Sequence, residues 1–351
     1  MIIIPSIDPY GECMKTTDTR PVYIVSSPRA GSTLLRLILD NQPNIAIPPP
    51  GYLFNLVYPY LYSYGDLSIE ANFRQLVEDV LATPTVKRWP IDVGTDDIVS
   101  AAGETRTFAF IYEFLHRAYA ELSGKPRWGQ KSPRNGVWME EIREMFPAAQ
   151  FIHLIRVGRD VAIDLADAGF WPETVHGGAI RWRDCMRAVA ALAPSFGPEQ
   201  LLEIKYEDLC ENPEATLKQM CDFLGEDFDP RHLHHHESES AKGWAKDPTH
   251  AAAGKPITTE FVGMYKHRLP DQDRDAIEAI IGPELRQAGY PVADAPVAMP
   301  GRLEAQLIEA DMVSGLDKFQ YKFWLKARRK ERRERGVWKD SDRESVLWGF
   351  D

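Results

Sequence analysis

The chain has 351 residues, of which 44% are hydrophobic and 26% are charged, as is typical of a folded globular protein. This composition excludes an intrinsically disordered chain, a collagen-like repeat and a small disulfide scaffold. Acidic residues outnumber basic residues by 52 to 41, so the formal net charge is −11, which argues against general nucleic-acid binding. We therefore expect no nucleic-acid partner.

A membrane-spanning helix needs about 20 consecutive apolar residues, and no stretch of the sequence approaches this length. Residues 1–5 (MIIIP) are too few, and are broken too early by proline, to form the core of a signal peptide. These two observations predict a cytoplasmic location. The cysteines Cys13, Cys185, Cys210 and Cys221 form no CxxC pair, so we expect reduced, structural thiols.

Apolar runs alternate with helical patterns along most of the chain. After a polar tail over residues 1–20, residues 22–25 (VYIV) are predicted to be a buried strand, and an apolar stripe then predicts a helix closed by Pro43. Residues 151–155 (FIHLI) and 201–205 (LLEIK) are predicted to be strands that precede further helices. This alternation predicts an α/β fold with a parallel sheet flanked by helices.

Three segments do not follow this alternation. Residues 50–125 are aromatic-rich and mostly helical, so we expect a helical insertion that forms a lid or a pocket wall. The histidines at residues 232–236 suggest a metal site, but four so close on a polar loop cannot all face one ion, and a solvated loop is expected.

Residues 318–339 carry ten basic residues against two acidic ones and predict a basic helix within a C-terminal extension, residues 296–351. That helix either docks on anionic lipid headgroups at the inner face of a membrane or folds back onto the acidic body.

Residues 27–33 (SPRAGST), between the first strand and the first helix, predict a phosphate-binding loop. A glycine turn at a helix start directs backbone N–H groups outward, and the helix dipole favours an anion there. Ser32 and Thr33 add hydroxyl donors, and Arg29 adds a fixed charge. A lone serine or threonine at this position is usually only a helix cap, but the surrounding strand and helix favour the phosphate interpretation.

The loop lacks the lysine of nucleotide-hydrolysing P-loops, which follows the last glycine directly, because Ser32 stands there. Kinases and nucleotide hydrolases also need an aspartate at the end of a second strand to hold magnesium, whereas residues 151–155 are followed by Arg156. An arginine at a strand end is suited to a second anion. The expected ligand therefore has two separate phosphates and needs no metal.

These features resemble the sulfotransferases that use 3′-phosphoadenosine 5′-phosphosulfate (PAPS), nearest their bacterial and tyrosylprotein-type branches. Five segments occur in the family's order: residues 27–33, 128–133 (WGQKSP), 151–160 (FIHLIRVGRD), 204–209 (IKYEDL) and 255–266 (KPITTEFVGMYK). The resemblance implies a sulfotransferase domain over residues 21–295. It also implies sulfuryl transfer from PAPS to a hydroxyl or amine of a small-molecule, carbohydrate or lipid acceptor, with adenosine 3′,5′-bisphosphate as the second product.

The resemblance assigns roles to individual residues. Lys131 would approach the transferred sulfuryl group, and Arg29 would bind the donor and, with Lys131, stabilise the charge on the leaving phosphate. Arg156 would hold the 3′-phosphate. The remaining donor-binding residues that it implies are Ala30, Gly31, Ser32, Thr33, Leu34, Tyr206, Thr258 and Thr259. Structural alternatives stay open, namely that Lys131 lies in an exposed turn, that Arg156 pairs with Asp160 or Glu207, that Tyr206 is core, and that the threonines cap a helix.

Two positions depart from the family pattern. Asp164 stands where members carry a serine that binds the 3′-phosphate, and a carboxylate close to a phosphate costs about 4 kcal/mol at intermediate dielectric. We expect Asp164 to turn away toward Arg159 or a helix neighbour, to be protonated, or to mark a shifted donor. Residues 45–51 (IAIPPPG) lack the glutamate that takes the acceptor's proton in similar branches. Candidate replacement bases are His176 and Asp164, followed by Asp167, Glu104 and His116.

The leading hypothesis is an active PAPS-dependent sulfotransferase. The missing glutamate and Asp164 favour an alternative, a protein of the same fold that has lost catalysis and serves as a nucleotide-binding or membrane-associated scaffold. A P-loop kinase is a weaker alternative, because its lysine and its strand-end aspartate are absent from the sequence.

Overall fold

The computed structural model describes residues 20–168, 174–246, 248–293 and 301. The basic segment predicted as a helix over residues 318–339 lies outside the described residues, as do residues 1–19 of the predicted tail and all of the predicted C-terminal extension except Gly301.

Parallel strands form a sheet in the order β2-β3-β1-β4-β5. They are β1 Val22–Ser26, β2 Ile45–Ala46, β3 Arg127–Lys131, β4 Gln150–Ile155 and β5 Leu201–Lys205. The central strand β1 is buried along its whole length and pairs with β3 and β4. Strands that are covered on both faces read as continuous apolar runs, which is why β1 and β4 were detectable in the sequence. The predicted parallel α/β architecture is confirmed.

Helices flank this sheet. The α-helices of the described ranges are α1 Ser32–Asp40, α2 Leu53–Leu56, α3 Glu70–Leu81, α4 Thr95–Ala102, α5 Phe108–Leu122, α6 Met139–Met145, α7 Gly158–Asp167, α8 Val175–Leu192, α9 Tyr206–Glu211, α10 Pro213–Leu224, α11 Glu239–Trp244, α12 Tyr265–Arg268 and α13 Asp271–Gln287. Short 3₁₀ helices are Tyr58–Tyr64, Val86–Arg88, Pro133–Trp138, Ala193–Ser195, Pro230–Glu237 and Pro248–Gly254. No helix in these ranges combines the length and apolar character needed to cross a lipid bilayer.

Alternate residues of β1 pack against opposite layers, as the two-residue period of a strand requires. Ile24 belongs to a core with Leu35 and Ile38 of α1. Tyr23 faces the other way and stacks with Tyr112 of α5 at a ring-centroid distance of 6.4 Å. Each side of the sheet therefore has its own apolar core.

The insertion over residues 50–125 contributes α2 to α5 and much of the aromatic core. Tyr60 is buried in this layer, whereas Tyr62 is exposed. Its aromatic residues therefore build core as well as surface, and its role as a lid or pocket wall stays a prediction.

Sequence reasoning missed β3 because this strand reads RWGQK and has no apolar run. All five residues are nevertheless buried. The Arg127 guanidinium is satisfied by the carbonyl oxygens of Arg20 and Leu224 at 2.6 and 2.9 Å and by the carboxylate of Glu226 at 2.9 Å. A polar strand whose groups find such partners can be buried without showing the pattern of a buried strand.

The histidine-rich stretch is also different from the prediction. Pro230–Glu237 is a 3₁₀ helix, with His232 and His235 buried rather than solvated. His235 Nε2 lies 3.2 Å from the carbonyl oxygen of Ala253, which fixes this ring in the interior. Within the described ranges, His234, His236 and Glu237 bring candidate metal-ligand atoms within 4.8 Å of one another.

Helix α8 packs closely on α7 through Gly178. A Cβ atom added at Gly178 would lie 2.8 Å from both the Cα and the carbonyl oxygen of Ala162. Four residues further along α8, the Trp182 indole donates a hydrogen bond of 2.9 Å to the carbonyl oxygen of Arg156. The close approach of the two helices therefore also places the chain that follows β4.

We expect Gly178→Ala to lower the free energy of unfolding by about 1–3 kcal/mol, because the added methyl group meets backbone that cannot move aside. The matched control is Gly243→Ala on α11, where nothing lies within 4 Å of the added Cβ and the better helix propensity should give up to about 1 kcal/mol of stabilisation. Urea unfolding of both variants measures the difference. Equal stabilities would contradict the close helix contact.

Candidate active site

The predicted phosphate loop and two of the predicted cations follow adjacent strands of the sheet. Residues 27–33 follow β1, Lys131 ends β3, and Arg156 follows β4. Since β3, β1 and β4 are neighbours and parallel, their carboxyl ends share one edge, which is where ligands bind in open α/β sheets. The structure thus brings the loop and these cations together.

The loop has the backbone conformation of an anion-binding turn. Arg29 and Gly31 have φ values of +67° and +93°. Gly31 is the N-cap residue of α1 and has no side chain with which to cap this helix end. The first backbone N–H groups of α1, next to Ser32 and Thr33, are therefore suited to an anion.

Tyr206 packs its ring against this turn. A Cβ atom added at Gly31 would lie 2.5 Å from Cδ2 of the Tyr206 ring, so only glycine fits between loop and ring. The guanidinium of Arg156 lies 4.9 Å from the centre of the same ring. Burial raises the pKa of Tyr206 well above its usual value, so this hydroxyl stays protonated. In the described structure, Tyr206 is a buried platform for the loop and for Arg156.

Asp164 lies between the two arginines of the predicted donor site. Its Oδ1 accepts hydrogen bonds from Nε and Nη2 of Arg29 at 3.0 and 2.8 Å, and its Oδ2 accepts one from Nη1 of Arg156 at 2.8 Å. Burial alone lowers the pKa of Arg156, but the carboxylate of Asp164 and other partners reverse the effect and raise it. The expectation that Asp164 turns toward Arg159 is wrong, because Arg159 pairs with Glu278 instead.

Arg156 also connects the loop after β1 to a later segment. Its Nη1 donates to the carbonyl oxygen of Arg29 at 2.9 Å, and its Nη2 donates to that of Phe261 at 2.8 Å. The carboxylate of Asp160 accepts from the backbone N–H groups of Gly263 and Tyr265 at 2.7 and 2.8 Å. Arg156 and Asp160 thus hold the backbone of residues 261–265 next to the end of β4. Sequence reasoning missed Phe261 because its contribution is a backbone carbonyl.

Lys131 is buried at the end of β3, so the alternative that it lies in an exposed turn is wrong. Its Nζ lies 3.0 Å from Oγ1 of Thr33, which connects it to the start of α1. Burial, reinforced by the positive charges of Arg36 and Arg29, lowers the pKa of Lys131 to about 7. This amine is therefore close to half-charged at neutral pH in the absence of an anion.

Thr258 and Thr259 lie in the later segment, and their role in donor binding stays a prediction. The Thr258 hydroxyl accepts a hydrogen bond of 3.2 Å from the backbone N–H of Glu260, and Thr259 is exposed. In this structure Thr258 closes a local turn. Ala30 is buried behind the loop, and Leu34 lies on the first turn of α1 against the adjoining core.

The candidate bases are spread over the fold. His116 is buried among aromatic rings, and burial lowers its pKa to about 3, so it is not placed to take a proton from an acceptor. His176 is partly exposed near the start of α8, with Nε2 3.8 Å from Asp273. Asp167 pairs with Arg268 at 2.7 Å, and Glu104 is exposed. The identity of the base stays a prediction.

A family model described as "Sulfotransferase family" matches residues 21–230, more than half of the chain. The chain belongs to the sulfotransferase family. The predicted family and enzyme class are confirmed.

Among its relatives, this sulfotransferase is 25% identical over 221 residues to a putative protein-tyrosine sulfotransferase of Caenorhabditis briggsae, covering 62% of this chain and 69% of that protein. It is 22% identical over 301 residues to protein-tyrosine sulfotransferase A of Caenorhabditis elegans, covering 82% and 72%. The solved sulfotransferase domain of the Synechococcus PCC 7002 olefin synthase is 23% identical, with a TM-score of 0.57, covering 80% of this chain and 100% of that domain. The likeness to the solved domain confirms the sulfotransferase fold.

We expect Lys131 of this sulfotransferase to react as an amine with a midpoint near pH 7, because burial and two neighbouring cations lower its pKa. An unperturbed lysine titrates at about 10.4. Competitive labelling with acetic anhydride between pH 5 and 11, read by peptide mass spectrometry, measures the midpoint. Lys218, exposed on α10, is the internal reference, and a Lys131 midpoint above pH 9 would contradict the buried geometry.

Proposed function

We propose that this sulfotransferase binds PAPS at the carboxyl edge of the sheet and transfers its sulfuryl group to a hydroxyl or amine of a small-molecule, carbohydrate or lipid acceptor. The observation that carries the proposal is the convergence of Arg29, Lys131 and Arg156 around the start of α1. PAPS brings a 5′-phosphosulfate and a 3′-phosphate, and the site offers cations at two positions. The residues also meet this need without a metal.

The two anionic groups of the donor would have different partners. The start of α1, Lys131 and Thr33 form one position, suited to the 5′-phosphosulfate. Arg156, which follows the next strand, forms the other, suited to the 3′-phosphate. Arg29 lies between them, because its side chain and its carbonyl oxygen both belong to the network of Arg156.

In the transfer, the acceptor atom forms a bond to sulfur while the bond from sulfur to the bridging phosphate oxygen breaks. The electron pair of that bond stays on the phosphate, and Arg29 and Lys131 would stabilise the growing negative charge. The acceptor's proton leaves to a base or to water. General bases contribute typically about 10²- to 10⁴-fold, so transfer without the glutamate of similar branches would be slower but not abolished.

The position of Asp164 favours a second candidate function. Its carboxylate already neutralises Arg29 and Arg156, as an anionic ligand would. A protein in which Arg29 stayed paired with Asp164 would not stabilise the leaving phosphate, and it would serve as a nucleotide-binding scaffold instead of an enzyme.

We expect the 351-residue chain to transfer label from radiolabelled PAPS to an acceptor. The acceptors are tested as a panel of metabolites, lipids and peptides, with magnesium absent. Arg29→Ala and Lys131→Ala should each lower turnover about 10²- to 10³-fold, because each removes a charge that stabilises the leaving phosphate. Lys218→Ala, an exposed change on α10, is the control and should leave turnover unchanged.

The same samples distinguish the competing functions by calorimetry. Tight binding of adenosine 3′,5′-bisphosphate without transfer to any member of the panel would favour the scaffold. Binding of magnesium and ATP in place of the bisphosphate would contradict the proposed donor.

We expect Asp164→Ser to tighten the binding of adenosine 3′,5′-bisphosphate by about tenfold, equivalent to about 1.4 kcal/mol, because it removes a carboxylate that competes for both arginines. Calorimetry measures the dissociation constant. Asp167→Ser, also on α7 and paired with exposed Arg268, is the matched control. A weaker complex in Asp164→Ser would show instead that the carboxylate contacts the nucleotide.

A further inference from the structure

The 3₁₀ helix Pro230–Glu237 separates its histidines onto different faces. Residues three apart lie one above the other in such a helix, so His232 and His235 share a face, and both are buried. His234 and Glu237 are also three apart, and their side chains are 60% and 70% exposed. The objection that four neighbouring histidines cannot all face one ion therefore loses its basis, because two of the four belong to the core.

His234, His236 and Glu237 form a cluster of possible metal ligands on this helix. One candidate ligand atom of each residue lies within 4.8 Å of those of the other two. Oε1 of Glu237 is 3.6 Å from Nδ1 of His234 and 3.9 Å from Nε2 of His236. Nδ1 of His236 has almost no accessible surface, so Nε2 is the nitrogen that an ion from solvent can reach.

The separations within the cluster are close to those of a zinc site. Zinc binds imidazole nitrogens and carboxylate oxygens at about 2.0–2.2 Å in a tetrahedral arrangement, which places neighbouring ligand atoms about 3.3–3.6 Å apart. The side chains of His234 and Glu237 are exposed and can close the remaining difference by small rotations about their own bonds. The helix backbone need not move for the three ligands to meet one ion.

Contacts on the inner side of the helix hold the backbone that carries the cluster. His235 stands between the two histidines of the cluster, and its Nε2 lies 3.2 Å from the carbonyl oxygen of Ala253. Asn41, at the C-terminal end of α1, donates a hydrogen bond of 2.6 Å to the carbonyl oxygen of Arg231. The ligands are therefore carried by ordered backbone, which reduces the entropy that is lost when an ion binds.

The donor set decides which metal fits. Two imidazole nitrogens and one carboxylate suit zinc, whereas magnesium and calcium prefer sites made of oxygen ligands. Three protein ligands leave a fourth tetrahedral position, which water can fill at an exposed site.

We propose that His234, His236 and Glu237 bind one zinc ion, with water at the fourth position. None of the three residues belongs to the donor site, so this proposal goes beyond the proposed function and does not depend on it. The helix is kinked at His234, whose φ and ψ are −108° and 24°. The ion would join the residue at the kink to two residues that follow it, and it would thereby stiffen the layer that contacts α1.

Zinc binding is measured on the 351-residue chain, without a polyhistidine tag and after treatment with EDTA. Competition with a chromogenic chelator should show a single bound Zn²⁺ with a micromolar or lower dissociation constant, even in excess Mg²⁺. His234→Ala, His236→Ala and Glu237→Gln should each weaken binding by at least about tenfold, since changes to the outer partners of metal ligands already cost about 10- to 100-fold.

His267→Ala is the matched control, because His267 is also an exposed histidine but lies on α12. Zinc binding by this variant should equal that of the wild type. His234 and Glu237 are exposed, so their replacement should leave the far-ultraviolet circular dichroism of the protein unchanged. Zinc should also slow amide hydrogen exchange across residues 231–245 in the wild type and have no such effect in His234→Ala.

Absence of zinc binding in the wild type would overturn the site. Binding that is unaffected in all three cluster variants would also overturn it, because the ion would then be held by other ligands, such as cysteine thiols. An equal loss of affinity in His267→Ala would show that zinc binds exposed histidines in general and would count against the site. None of these measurements uses PAPS or an acceptor, so failure of the zinc site and failure of the proposed function are distinguishable.

Discussion

The shared carboxylate of Asp164 is the interaction on which the order of the donor edge depends. It fixes the side chain of Arg29 on the loop after β1 and that of Arg156 after β4. Arg156 in turn binds the carbonyl oxygens of Arg29 and Phe261, and its own carbonyl oxygen is held by Trp182 of α8. One carboxylate thereby orders a loop, a strand end and a later segment before any ligand is present. The same contact places a negative charge where an anionic ligand would bind. The carboxylate that orders the site therefore also lowers the affinity of the site for an anion.

Lys131 couples this edge to proton binding. Its pKa is lowered by burial and by the positive charges of Arg36 and Arg29, and an anionic ligand would add an opposite charge. Because an anion binds the charged amine more tightly, its binding must raise the pKa of Lys131, and the protein takes up a proton near neutral pH when the ligand binds. Binding of the anionic donor therefore favours the charged form of Lys131, which is the form that stabilises a leaving phosphate.

The sequence was sufficient for the features that follow from local chemistry. Apolar runs identified β1, β4 and β5, and the glycine turn with its flanking elements identified the phosphate loop. Contacts between distant residues could not be predicted from the sequence. The polar strand β3 has no alternation of apolar and polar residues to reveal it, and the position of Lys131 depends on its contact with Thr33 of α1. Asp164 has two arginine partners, Arg156 at eight positions and Arg29 at 135 positions along the chain, and sequence reasoning, which considered Arg159 or a helix neighbour, named neither.

The distribution of charge reconciles an acidic chain with anionic ligands. A net charge of −11 acts at long range and is screened by salt within about 10 Å, so it opposes the approach of an anion only weakly. The cations at the sheet edge act at contact distance, from buried positions where screening is small. Arg156 and Lys131 are both less than about a tenth exposed. Such a protein does not attract anions in general. The positive charges of these buried side chains are accessible only to a ligand whose shape fits the sites between β3, β1 and β4.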